Sequence, residues 1–295
     1  VMKRIEQQTR VSKHSRKLIY AGVALLVILV PAIYFYAASL SQPAEAKAAI
    51  IDQLGSSKLD DLIRDENQTF IESARELLYK RFSIVDYYSD NATVEEYSKL
   101  ASAGYKLILW RAHSALDKNS KYIAMSTTDK YGSISYDQYP DGSLTLVNIT
   151  TDPTLYFGIT PAFIEKVMSG TFQDTVIVLM SCNGLQQGYL KTAQAFETKG
   201  AKVIISWDNW VSTSDNDYAA SLLLQHLIDE KNTVSAAVGK LWPFPSEFGW
   251  ARLVYDPVSA GNYLIPDYRK NDSTNTALMI VPVSEKVEDP RGNRF

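Results

Sequence analysis

Thr175-Val-Ile-Val-Leu-Met-Ser-Cys-Asn-Gly184 is the stretch whose reading decides the fold. The unbroken apolar run Val176 to Met180, rich in β-branched residues, predicts a strand buried on both faces. It stops at Ser181-Cys182-Asn183-Gly184, and a helix-compatible segment opens near Gly188. A buried strand, a short polar turn and a helix make one step of an α/β sheet, where ligands bind beyond the carboxyl ends of the strands. The only cysteine of the chain lies at that end.

Working outward, the same pattern recurs on both sides. Downstream, Tyr189–Lys199 reads as a helix closing at Gly200, and Ala201–Trp207 as a second buried strand. Helices follow over 214–230 and 233–241. Upstream, Thr160-Pro161 opens a helix over 162–168 with a good N-cap and first residue. Tyr105–Trp110 and Ser83–Tyr88 are further strands, separated by a helix that starts at the capping box Thr93-Val-Glu-Glu96. Lys121 to Ile149 reads as a hairpin excursion with Asp141-Gly142 as its turn. Arg252–Tyr255 and Ala277–Val281 are candidate late strands. This alternation predicts an α/β fold with a mostly parallel sheet. The α/β domain is expected over 82–265, with a C-terminal extension over 266–295. Residues 41–81, with Ile50, Ile51, Leu54, Leu59, Leu62 and Ile63 near helical spacing, read as helix, either a stalk or a flanking pair.

The N-terminus differs from the rest. Residues 1–17 carry Lys3, Arg4, Arg10, Lys13, Arg16 and Lys17 against Glu6, and from Leu18 to Leu40 there is no charge. At about 1.5 Å per residue that stretch is long enough to cross a hydrocarbon core of roughly 30 Å. Pro31 within it is tolerated in a membrane helix. The expectation is a transmembrane signal anchor over 18–40, a cytoplasmic basic tail over 1–17 and a domain outside. The competing reading is a signal peptide cut after Ala44-Glu45-Ala46. Sequons at Asn67, Asn91, Asn148 and Asn271 agree with an extracytoplasmic location.

The whole chain has 46% hydrophobic and 21% charged residues, a globular composition, and a net charge of −3 that gives no reason to expect nucleic acid. One cysteine excludes an internal disulfide, and there is no zinc spacing, phosphate loop or dinucleotide fingerprint. A G-x-S-x-G elbow is also missing, which sets aside an α/β hydrolase. Of the three histidines, His14 lies in the basic tail and His226 in the apolar helix Leu222-Leu-Leu-Gln-His-Leu-Ile228. His113 follows the strand 105–110 as Cys182 follows 175–180. If the two strands are neighbours, imidazole and thiol meet across a crevice, and a thiol needs such a base.

The order strand–His113-Ser114, strand–Ser181-Cys182-Asn183-Gly184, then Lys199-Gly-Ala-Lys-Val-Ile-Ile-Ser-Trp207 resembles the caspase-like cysteine peptidases. The clostripain, gingipain and CHAT-domain branches are the most similar. The resemblance implies a three-layer α/β/α sandwich and peptide-bond cleavage by a His113–Cys182 dyad. It places the oxyanion on the amides of Cys182 and Ser114. Ser114 stands where the family usually has glycine. Met180 stands where many basic-specific members have an acid. Asp208 is then the acid expected in a specificity pocket, with Trp207, Ser206 and Asn183 as further substrate-binding residues. Arg111 reads as a strand-end charge rather than a substrate-binding cation. Such a dyad requires no metal or organic cofactor, although a regulatory calcium ion is compatible with it. The implied partners are a peptide or protein substrate and, through the N-terminal helix, the membrane. The alternative is a catalytically silent caspase-like domain that binds partners at the surface.

Overall fold

The computed structural model describes residues 46–149 and 153–269. The segments expected as basic tail, membrane anchor, late strand at 277–281 and most of the C-terminal extension lie outside them. Among the described residues no helix is long and apolar enough to cross a membrane.

In chain order the strands are β1 (Lys47–Asp52), β2 (Ile84–Tyr88), β3 (Tyr105–Arg111), β4 (Ser114–Asp117), β5 (Tyr122–Lys130), β6 (Leu144–Asn148), β7 (Leu155–Ile159), β8 (Thr175–Met180), β9 (Ala201–Trp207), β10 (Phe244–Ser246), β11 (Gly249–Ala251) and β12 (Leu253–Asp256). The α-helices are α1 (Gln68–Tyr79), α2 (Val94–Lys99), α3 (Pro161–Lys166), α4 (Lys191–Thr198), α5 (Thr213–Leu224) and α6 (Val234–Gly239). A π-helical turn, Gln225–Asp229, follows α5. The main sheet has the order β12-β9-β8-β3-β1-β2. Five of its strands pair in parallel, and β12 closes one edge antiparallel to β9.

Each strand feeds both faces of this sheet, because successive side chains alternate. Ala48, Ile50, Leu107, Leu109, Val176 and Val178 point into a core shared with α1, α5 and α6. Ala49, Ile51, Ile108, Trp110, Ile177 and Leu179 point into a second core with α2, α3 and α4. Helices therefore cover both faces. The second core also takes in Ile123, Met125, Leu144, Phe157 and Ile159 from a four-stranded antiparallel sheet of order β4-β5-β7-β6.

Two expectations are corrected. The segment expected as helix over 41–81 supplies β1, the strand between β3 and β2, so the sheet begins at Lys47 rather than near Phe82. Ala48, Ala49, Ile50 and Ile51 are all fully buried, and a short apolar run has no periodicity that separates helix from strand. Among the described residues of that segment only Gln68–Tyr79 is α-helical. Asn67 Oδ1 caps it by accepting from Phe70 N–H, and it buries Phe70, Ile71, Ala74 and Leu78. The excursion is not a single hairpin turning at Asp141-Gly142. β5 pairs with β4 and β7, while β6 pairs with β7, so Asp141-Gly142 merely precedes β6.

The carboxyl ends of β1 and β3 and the start of α5 meet on one side chain. Arg111 is fully buried. Its Nε and Nη2 donate to the two carboxylate oxygens of Asp217 at 2.7 and 2.9 Å. Its Nη1 donates to Asp52 at 2.9 Å and to the Asp65 carbonyl at 2.6 Å, and Nη2 lies 3.3 Å from the Asp65 carboxylate. The strand-end arginine is thus a structural hub. Burial works against its charge, but Asp217 and then Asp52 outweigh burial and hold its pKa above the ordinary value. For Asp52, burial prevails over Arg111 and raises the carboxyl's pKa. Removing the cation from such a cluster leaves buried acids unpaired, which costs about 3–5 kcal/mol. Arg111→Met should therefore lower unfolding free energy in urea by about 3–5 kcal/mol, and an unchanged midpoint would show that the hub does not hold the fold.

Candidate functional site

β3 and β8 are adjacent, with Trp110 opposite Leu179 and Arg111 opposite Met180. Ala112-His113-Ser114 and Ser181-Cys182-Asn183 therefore leave the sheet side by side. Both His113 and Cys182 line one cleft of about 470 Å³ at the carboxyl edge, together with Ser114 and Asn183. Its other walls come from a strap ahead of α1 (Leu62 to Asp65), from the end of β6 (Asn148, Ile149), and from the β9–α5 loop (Trp210, Val211).

The cysteine loop is shaped from beneath. Asn183 has φ of 61°, a left-handed conformation that asparagine tolerates better than most residues. A Cβ at Gly184 would lie 2.0 Å from Ser206 Oγ, so only glycine passes there. Asn183 N–H donates to Asn209 O at 3.0 Å and Leu185 N–H to Trp207 O at 2.8 Å. Ser206 is buried and donates to Leu179 O at 2.7 Å. Trp207 is also buried, its Nε1 donating to Asn216 Oδ1 at 2.8 Å. Neither lines the cleft; both support the loop that does. Asp208 is likewise not in the cleft. Its Oδ1 accepts from Arg252 N–H at 2.7 Å, and its own N–H donates to Arg252 O at 3.0 Å, which ties β9 to the edge strand.

His113 is oriented on several sides. Its N–H donates to Gln53 Oε1 at 3.0 Å, its carbonyl accepts from Ser126 N–H at 2.9 Å, and its ring Nε2 lies 3.1 Å from Ile63 O. A carbonyl only accepts, so Nε2 carries the hydrogen and, in the neutral ring, the lone pair is on Nδ1. Burial depresses the imidazole pKa and the Arg111 charge adds to that, against the pull of the Ile63 carbonyl and Asp65. Cys182 is partly buried, and its Sγ donates to Val211 O at 3.3 Å. Burial raises the thiol pKa above its ordinary value. Ser114 Oγ donates to Cys182 O at 2.7 Å and joins the two segments. Burial thus favours the uncharged forms of both groups, and the thiol donates to Val211 O.

Sequence reasoning missed the strap. A backbone carbonyl such as that of Ile63 has no signature, and Asp65 lay in a stretch read as helix. Asp65 and Arg64 are the charged residues of the cleft. His226 is elsewhere, with Nδ1 3.0 Å from Glu230 in the π-turn. Among the described residues no group of three or more His, Cys, Asp and Glu side chains is arranged to hold a metal ion. Compared with family models and with curated proteins, the chain matches none.

Alkylation reports the proton state directly. Because burial lifts the Cys182 thiol above its ordinary range, its alkylation by iodoacetamide should be slow at neutral pH and keep climbing well into the alkaline range. A reactive plateau reaching below about pH 6 would instead mean a preformed thiolate–imidazolium pair.

Proposed function

We propose that the chain is a cysteine endopeptidase of caspase-like type, built on an α/β/α sandwich and anchored by Leu18–Leu40 with its domain outside the cytoplasm. The observation that carries this reading is the convergence of His113 and Cys182 on one cleft from adjacent parallel strands. In the reaction, Cys182 Sγ leaves Val211 O and attacks the scissile carbonyl carbon while its proton passes to His113 Nδ1. The amides of Cys182 and Ser114 receive the oxyanion. His113 then protonates the departing amine, leaving a thioester, and draws a proton from the water that hydrolyses it. The Ile63 carbonyl keeps Nδ1, not Nε2, as the basic nitrogen throughout.

A second reading, a silent binding module on the same scaffold, is favoured by one observation, the thiol's hydrogen bond to Val211 rather than to His113. A membrane-impermeant peptide probe with a thiol-directed electrophile separates the two. It should label intact cells through Cys182 and lose that labelling in Cys182→Ala. His113→Ala should reduce amide turnover by roughly 10²–10⁴ while sparing part of the labelling. Absence of Cys182-dependent labelling and turnover supports the silent module, and labelling only after lysis places the domain inside.

The acid lining the cleft is Asp65, whose side chain is 40% exposed although its carboxylate also lies 3.3 Å from Arg111 and accepts from Thr213; the Asp52 and Asp217 carboxylates are buried. If the residue before the cleaved bond is basic, Asp65→Asn should lower kcat/KM for Arg and Lys substrates about ten- to a hundredfold, the worth of a charged hydrogen bond. Asp208→Asn should leave it near the parent value. The reverse order would return the pocket to Asp208.

A further inference from the structure

Three of the five tryptophans are exposed, and they share one region of the surface. Trp210, Tyr218, Trp242, Phe248 and Trp250 are each more than a third exposed, up to 69% for Phe248. They form a ledge that wraps the β10–β11 hairpin, with Tyr218 and Trp242 on the Phe244 side and Trp250 on the opposite face, since Trp250 pairs with Pro245 and Phe244 with Ala251. Trp242 stacks on Phe244 at 6.1 Å, and Tyr218 lies 6.3 Å from Trp242 and 6.2 Å from Phe244. Phe244 opens the β10–β11 hairpin, whose free side carries Phe248 and Trp250. Asn209 Nδ2 donates to the carbonyls of Phe248 and Trp250 at 3.1 and 3.4 Å. The carbonyl of the same Asn209 accepts from Asn183 N–H beside Cys182, and its Oδ1 from Trp210 N–H at 2.8 Å. Trp210 also lines the cleft. One asparagine therefore joins the cysteine loop, the cleft wall and the aromatic hairpin.

The charge of the ledge is one-sided. Residues 207–218 and 242–251 contain Asp208, Asp215, Asp217 and Glu247 and neither lysine nor arginine. Asp217 is neutralised by Arg111. At the borders, Lys240 is bound to Glu230, and Arg252 follows the hairpin. Exposed aromatics beside an excess of acids, Asp208, Asp215 and Glu247 against Arg252, suit a chain with basic and apolar residues, through cation–π contacts and apolar burial. They do not suit an anionic bilayer, which is bound by surfaces rich in Lys and Arg.

We propose that the ledge is a binding site for the substrate polypeptide away from the cleaved bond, and that it takes a segment rich in basic and apolar residues. This rests on the peptidase reading. The test uses the full chain and two peptides cleaved at the same bond. One fills only the cleft, and the other continues into a Lys/Leu-rich segment long enough to reach the hairpin. Trp250→Ser and Phe248→Ser together should raise KM for the long peptide about tenfold or more, with kcat and all short-peptide kinetics unchanged. Added salt should erode the advantage of the long peptide in the parent protein. Equal effects on both peptides, or none, overturn the ledge and leave the peptidase reading standing. If neither peptide is cleaved in a Cys182-dependent way, the peptidase reading fails. The ledge is then judged by anisotropy of the labelled long peptide on full-length Cys182→Ala protein. Binding lost on Trp250→Ser supports the ledge, and binding retained or absent from the start overturns it. Quenching of tryptophan fluorescence by brominated phosphatidylcholine in reconstituted bilayers, relieved by Trp250→Ser, would put lipid on the ledge and also overturn it.

Discussion

The buried guanidinium of Arg111 is the constraint on which the carboxyl edge of the sheet depends. It gathers Asp52 from the end of β1, Asp65 from the strap and Asp217 from α5. Burying one ion pair is close to neutral in free energy, because desolvation offsets attraction. What the hub supplies is position. Asp217 takes two parallel hydrogen bonds and the Asp65 carbonyl a third, so the strand ends, the helix start and the strap cannot shift independently. Arg111 precedes His113 by two residues, and the same cation that fixes the frame also disfavours a protonated imidazole.

That strap is held at its other end by the excursion sheet. Leu59 and Ile63 pack with Tyr156 of β7, and Asp60 N–H donates to the Tyr156 hydroxyl at 3.2 Å. Ile63 in turn presents its carbonyl to His113 Nε2. The four-stranded sheet thus bears on the candidate dyad through the Ile63 carbonyl as well as through Ser126 of β5 and Ser114 of β4, which bond to the His113 and Cys182 backbone directly. In a partly buried cleft, thiol and imidazole both favour their neutral forms, since burial penalises whichever form is charged. The thiol rests on the Val211 carbonyl, which distinguishes the cleft from sites where a cation beside the sulfur maintains a thiolate.

Composition and pattern were enough to read four parallel strands, because each is a short apolar run ended by polar or glycine residues. β8 and β9 have the bounds expected, and the caps at Thr93 and Thr160 accept from the N–H groups three residues on. The placement of His113 and Cys182 beyond strand ends was equally legible, since it depends only on where an apolar run stops. The strand β1 was not, because Ala48 to Ile51 is as apolar as a buried helix face and only pairing between β2 and β3 makes it a strand. The excursion sheet was misread for a related reason: β7 returns to pair with β5 from a distance that no local turn residue records.

Tertiary structure alone decided which polar residues face the cleft. Ser206 and Trp207 end the right strand and Asp208 follows it, yet the Leu179 carbonyl, the Asn216 amide and the Arg252 backbone ahead of β12 claim their polar atoms. Asp65 comes from a segment with no motif and reaches the cleft because Arg111 and Thr213 hold its carboxylate there. A residue's type and its position after a strand are properties of the chain. The direction of its side chain, and the proton state of its thiol or imidazole, follow from neighbours far apart in sequence. The chain by itself therefore determined which chemistry its residues carry, and the packing determined which of them meet.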